Sequence, residues 1–241
     1  MKYGAGLIAL ALLAGLSADA SAAEFSYSYL EVTADLSKTK NTATAPLEDD
    51  ADGRLIGIAG SWEVFDSIYI KGTWSRETKE FGNEVAGVPL DLESRQTLAM
   101  LGAGYHFEPG ERLSVYAEAL AIVDFKVEHT VPLVTRSARG PAAVTTTDSV
   151  IEGDGLAAAL GVRYRVDENV ELEGQLSHMR TEADILRTGG DISDSETMLR
   201  IGGQFYTGHG LSVGGYFSYS KHTDDNFDHI RKLGAFLRYY F

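Results

Sequence analysis

The chain has no cysteine, so it can form neither a disulfide nor a thiolate metal site. It also lacks positive charge. Twenty-one Lys and Arg face thirty-five Asp and Glu, a net charge of −14, which argues against nucleic acid as a partner. Beyond the first residues no stretch approaches the ~20 apolar residues of a spanning helix. If the protein crosses a membrane, it must do so as a closed barrel, because lipid offers no partner for an open backbone. The six histidines, His106, His129, His178, His209, His222 and His229, are scattered, and no pair has metal-site spacing. Asp50-Ala51-Asp52-Gly53 lacks the other ligands of a calcium loop. No cofactor or metal site is expected.

What is present begins with a leader. Lys2 precedes the run Leu7-Ile8-Ala9-Leu10-Ala11-Leu12-Leu13-Ala14, and Ala20-Ser21-Ala22 follows. This is the pattern of a secretory signal peptide, too short for a membrane helix. The expected organisation is a signal peptide at 1–22 and one β domain at 23–241. Mean hydropathy is −0.11, as when lipid-facing and lumen-facing residues average out.

The remainder alternates with period two, which puts successive side chains on opposite faces of a strand. Ten antiparallel strands are expected, at roughly 24–36, 54–65, 68–77, 94–107, 112–127, 151–166, 170–181, 195–207, 211–221 and 229–241. The alternative is eight, with the eighth segment the weakest. One face is apolar, as in Ile56, Ile58, Gly60, Trp62 and Val64; the other is small or polar, as in Gly57, Ala59, Ser61 and Glu63. Connections alternate strictly between long and short. The short ones are Phe65-Asp66-Ser67, Pro109-Gly110-Glu111, Asp167-Glu168-Asn169 and Gly208-His209-Gly210, each fit for a hairpin.

A soluble lipocalin-like barrel would also show alternation, but two features favour a membrane barrel. The segments reach the ~9–11 residues needed to span, against ~5–6 in soluble sheets. Aromatics gather at strand ends: Tyr105, Phe107, Tyr164, Phe205, Tyr239 and Phe241 near the short turns, and Trp74, Phe125 and Tyr219 near the long connections. That is a two-girdle pattern.

The last ten residues, Lys232 to Phe241, carry a more specific likeness. Leu233, Ala235, Leu237, Tyr239 and Phe241 alternate with Lys232, Gly234, Phe236, Arg238 and Tyr240. An apolar last strand would leave a sticky edge in a soluble protein. The strand resembles the C-terminal signal of bacterial outer-membrane β-barrels. The resemblance implies that barrel-assembly machinery reads Gly234, Leu237, Tyr239 and Phe241, and that both termini are periplasmic. As a pattern, the whole of 23–241 is similar to the small OmpA-like and OmpX-like barrels, which have eight strands where this chain has ten. Outer-membrane lipid and lipopolysaccharide are the implied surroundings.

The inward face should be charged. Lys71, Arg163, Arg165, Arg200, Lys232 and Arg238 share it with Glu63, Glu118, Glu171 and Glu173. About a turn at 167–169, Arg165 should face Glu171 and Arg163 should face Glu173; Glu63 should lie diagonal to Lys71. A lumen filled by such an ion network would be structural, with a narrow pore for ions or small solutes as the alternative. The excess acid falls in the long connections, including Glu80, Glu84, Asp91, Glu93, Glu182, Asp184, Asp191, Asp194 and Glu196. They would meet solvent or an extracellular ligand.

An enzyme is not expected. Omptin-type proteases, also ten-stranded, place acidic and His–Asp groups at the extracellular rim. His222, Asp224 and Asp225 fall there, but no matching motif surrounds them. The lipid A deacylase pattern needs a His two before a Ser; Ser177 and His178 are adjacent and point to opposite faces. The expected function is a structural or surface-interaction role in the outer membrane.

Overall fold

A computed structural model describes residues 25–41, 51–85, 88–135, 143–185, 191–222 and 227–241. The expected signal peptide lies outside them. Ten strands are present: β1 Tyr29–Asn41, β2 Ala51–Phe65, β3 Ile68–Val85, β4 Val88–Gly110, β5 Leu113–Thr135, β6 Ala143–Arg165, β7 Val170–Ile185, β8 Asp191–Gly208, β9 Leu211–His222 and β10 Phe227–Tyr240. Each pairs antiparallel with its chain neighbours, and β1 closes the barrel on β10. The count is ten, not eight. β8, the least marked in the sequence, pairs with β7 over 191–205 and with β9 over 196–208.

The polarity is inside-out. Leu36, Leu160 and Ile201 are 63%, 63% and 59% exposed on the outer wall, whereas Glu171 and Arg163 are 1% and 2% exposed in the lumen. A soluble barrel would bury the first set and solvate the second. Here lipid is the solvent for the outer face, so the barrel is transmembrane. Trp62, Phe65, Tyr105, Phe107 and Phe205 are exposed near the short turns, and Tyr219 toward the other edge.

The long connections differ from expectation. β4, β5 and β6 are each 23 residues, and the strands run on through most of 78–93 and 128–150. At ~3.3 Å per residue and a tilt near 40°, such a strand rises roughly 58 Å, against an apolar band of ~25 Å. Above the band both faces meet water, so the apolar–polar contrast fades although Val and Thr still favour strand. That is why alternation ends before the strands do.

The short turns have local causes. Asp167 Oδ1 accepts from the Asn169 and Val170 amides at 2.8 and 2.9 Å, which fixes the β6–β7 turn. Between β8 and β9, Gly208, His209 and Gly210 all have positive φ, at 89°, 54° and 73°, and two glycines make that cheap.

The chain before β1 also departs from the expected strand at 24–36. Phe25 to Ser28 precede β1 and enter the short-turn mouth, where Phe25 and Tyr27 are each 3% exposed. They join Tyr69 and Tyr116 in one aromatic cluster. Tyr69 and Tyr116 lie flat on Gly104 and Gly161, where a Cβ would meet their rings at 2.2 and 2.1 Å. Only glycine admits a ring so close to the backbone.

Candidate functional site

The lumen has three levels. At the short-turn mouth, the Arg163 Nε and Nη2 atoms donate to both oxygens of Glu171 at 2.6 and 3.1 Å. Glu171 also accepts from Gln204 at 2.8 Å and from the Tyr206 hydroxyl at 2.8 Å. Tyr240, Ser212 and Gln204 extend the network. The inward-folded segment completes it. Arg163 Nη1 donates to the Ser26 carbonyl at 3.0 Å, Tyr27 bonds Ser114 at 2.8 Å, and the Tyr27 ring stacks on His106 at 4.1 Å. Arg163 also lies over the Tyr27 ring, at 4.9 Å from its centroid. A bidentate, buried and otherwise satisfied pair is the geometry in which attraction offsets desolvation.

At mid-height Lys71 Nζ reaches both Glu118 oxygens at 2.7 and 2.9 Å, with the Tyr69 hydroxyl donating to the same carboxylate. Arg238 Nε donates to Glu31 at 2.7 Å, and Tyr116 to Glu173 at 2.6 Å. Arg200 lies on the Tyr216 ring, 3.6 Å from its centroid. A cavity of about 180 Å³ remains among these groups.

Above it the packing loosens. Glu77 accepts from Ser37 at 2.7 Å and from Lys232 at 3.2 Å, with Lys79 at 3.8 Å. A vestibule of about 250 Å³ opens there, between Lys79, Phe125, His129, Met179, Glu196 and His222. His222 Nδ1 lies 2.7 Å from Asp194.

The expected pairings need correction. The register places Arg163 opposite Glu173 and Arg165 opposite Glu171, as the turn dictated. The side chains do not follow it. Arg163 reaches diagonally to Glu171, while Glu173 is taken by Tyr116 and lies 3.9 Å from Arg238. Arg165 lies over the Phe25 ring at 4.5 Å. Strand twist brings diagonal neighbours within reach of long side chains, and Phe25 occupies the space above Arg165. The register does place Glu63 diagonal to Lys71, opposite Tyr69, but the side chains part, and Glu63 meets His106 at 2.9 Å. Lys71 goes to Glu118, two strands on.

Sequence reasoning also missed members of the network. Glu31, Asp35 and Glu77 join the four expected carboxylates, and Lys79 joins the six cations. Their strand parity was available as a signal; the same parity sets Tyr27 on the inward face, but not the fold of Phe25 to Ser28 into the mouth ahead of β1. Of the acidic rim, Asp224 and Asp225 lie outside the described residues. Asp52 is exposed and 4.0 Å from Lys38. Ser177 and His178 face opposite ways, and His178 meets Thr197 on the outer wall.

No protein-family model matches the sequence, and no curated protein matches it. Solved structures do. The β domain of the Bordetella autotransporter BrkA is similar at 14% identity with a TM-score of 0.56, over 90% of this chain and 100% of that one. The translocator domain of the autotransporter NalP from Neisseria meningitidis is 16% identical with a TM-score of 0.48, over 99% of both chains. The outer membrane protease OmpT from Escherichia coli is 12% identical with a TM-score of 0.43, over 92% of this chain and 100% of that one. At such identities the BrkA likeness is one of fold alone. This chain has the fold of the small outer-membrane β-barrels.

Proposed function

We propose that this chain is an integral outer-membrane protein whose closed barrel anchors long surface hairpins, and that it acts by contact rather than by conduction or catalysis. The supporting observation is the short-turn mouth, where Phe25, Ser26 and Tyr27 are tied into the network of Arg163, Glu171, Gln204 and Tyr206. In this reading residues 1–22 direct export, both termini are periplasmic, and the acidic hairpins meet an extracellular ligand. Lipid and lipopolysaccharide surround the wall. The assembly machinery reads the last strand, where Leu237 is 44% exposed, Gly234 lies under the Tyr216 ring, and Phe241 sits edge-on to Trp62 at 6.1 Å. Nucleic acid has no place in it.

Planar-bilayer recording tests the reading. The wild-type barrel is expected to stay silent, and a Phe25→Ala, Tyr27→Ala double variant to show a weak, reproducible conductance. Clear conductance in the wild type would favour the pore instead. For orientation, single cysteines at Asp66, Gly110, Glu168 or His209 should resist an impermeant label on whole cells. Labelling at Glu168 from outside would reverse the barrel. Phe241→Asp should impair assembly far more than a charge change at Asp228, and equal tolerance would remove the assembly role.

A further inference from the structure

The outer wall is not the same all round. On the β4, β5 and β7 side, each outward cation just above the apolar band has a carboxylate two residues away on its own strand. Arg95 pairs with Glu93, Lys126 with Glu128 at 2.9 Å, and Arg180 with Glu182 at 3.0 Å. These cations are self-neutralised. On the β10, β1, β2 and β3 side, Arg231, Lys38, Arg54 and Arg76 are all exposed. Among the described residues, no carboxylate lies within ion-pair distance of Arg54, Arg76 or Arg231.

These cations form one patch. Lys38 is in register with Arg231, Arg54 with Leu36, and Arg76 with Ile56, so from the level pair Arg231 and Lys38, Arg54 and then Arg76 each lie one strand over and about one pair lower. All sit roughly ten residues above the short-turn end, which is where a tilted strand leaves the ~25 Å apolar band. An external groove passes between them, and Leu36, Ile56, Phe217 and Leu233 line its lower part. Leu36, Ile56 and Leu233 are 63%, 58% and 64% exposed. Asp52 and Glu80 stand at the upper edge, leaving the patch four cations to two carboxylates.

A ligand for this groove needs anionic groups at the level of the arginines, hydroxyls above them, and hydrocarbon below. Guanidinium groups suit phosphate because their fork matches two oxygens at once. We infer that the outer wall of β10, β1, β2 and β3 binds a phosphorylated glycolipid of the leaflet on the long-hairpin side. Arg54, Arg76 and Arg231 hold its phosphates, and Leu36, Ile56 and Leu233 hold its acyl chains. Basic residues at a membrane surface attract anionic headgroups; Arg54, Arg76 and Arg231 are open to one because, among the described residues, no carboxylate stands within ion-pair distance of them. The inference rests on the outer-membrane placement proposed above.

Trp74 supplies the reporter. It lies two residues below Arg76 on the same face, and Trp62 is the other tryptophan of the chain. In a Trp62→Phe background, the purified barrel in mixed micelles is titrated with a diphosphorylated glycolipid carrying brominated acyl chains, and quenching of Trp74 is followed. The variant Arg54→Gln, Arg76→Gln, Arg231→Gln should raise the half-quenching concentration about tenfold or more. The variant Arg95→Gln, Lys126→Gln, Arg180→Gln should leave it unchanged. Equal binding of the dephosphorylated glycolipid would overturn the site, as would equal losses in both variants. Competition by the water-soluble diphosphorylated disaccharide as strong as by the lipid would make it a free sugar-phosphate site and overturn the lipid assignment. Gel migration separates this inference from the reading beneath it. A band that does not shift between boiled and unboiled samples counts against the membrane barrel and the site together. A shifted band without phosphate dependence counts against the site alone.

Discussion

The two halves of the lumen use the same residue types to different ends. In the short-turn half, Arg163 and Glu171 share two hydrogen bonds, and Glu171 takes two more from Gln204 and Tyr206. In the long-hairpin half, Glu77 stands among Lys232, Lys79 and Ser37, and a cavity of about 250 Å³ lies beside it. Charge alone therefore does not close a barrel. The closed half adds aromatic rings seated on glycines and a segment of chain folded in from the mouth. The open half has the ions without that lid.

The largest effect should come from breaking the closed half. Arg163→Ala strands Glu171 in a site that is 1% exposed, and removing one partner of a buried pair costs about 3–5 kcal/mol. The melting temperature of the detergent-folded barrel should fall accordingly. Adding Glu171→Ala should recover part of the loss, with a coupling of about 1–3 kcal/mol. Adding Glu173→Ala should not, since Glu173 is held by Tyr116 and Arg238. Coupling to Glu173 in place of Glu171 would restore the in-register pairing that the turn suggests.

A matching change in the open half should cost less. Lys232→Ala leaves Glu77 with Ser37 at 2.7 Å and Lys79 at 3.8 Å, so the carboxylate keeps partners. The expected loss is about 1.5–3 kcal/mol, that of one hydrogen bond to a charged group. A loss as large as that of Arg163→Ala would erase the contrast between the halves.

The comparison also marks what the sequence could reveal. Inside the membrane, one face meets lipid and the other the lumen, so alternation is sharp. All ten strands and the register around Asp167 could be read from it. Outside the membrane both faces are wet, and the upper parts of β3 to β8 read as loops. The lumen charges were legible by parity, as Glu63, Lys71 and Glu118 show. Their partners were not, because the turn of Glu63 to His106 and the diagonal reach of Arg163 depend on twist and on what else fills the space. Phe25 was the least legible. It continues an alternating pattern, and only the closed barrel shows that it turns inward to meet Arg163 and Arg165.

The smallest expected effect concerns pH in the open half. His222 follows Tyr219 on β9, above the last exposed aromatic of that strand, so it lies beyond the spanning segment. Burial opposes its charge, and Lys79 across the vestibule does so weakly. The hydrogen bond to Asp194 and the charges of Asp194 and Glu196 outweigh both, so its pKa is raised above the usual value. A raised histidine contributes stability that is fully present below its unfolded pKa of about 6.5 and is lost as pH rises through the higher folded value. The rim of β8 and β9 should therefore loosen slightly as the pH climbs past that value, while the Arg163 network, whose cation does not titrate in this range, stays unchanged. Amide exchange of β8 and β9 compared at either side of the transition measures it. His222→Asn should flatten the profile. A wild-type profile that is already flat, or one that still rises in His222→Asn, would remove His222 as the group that sets the vestibule apart.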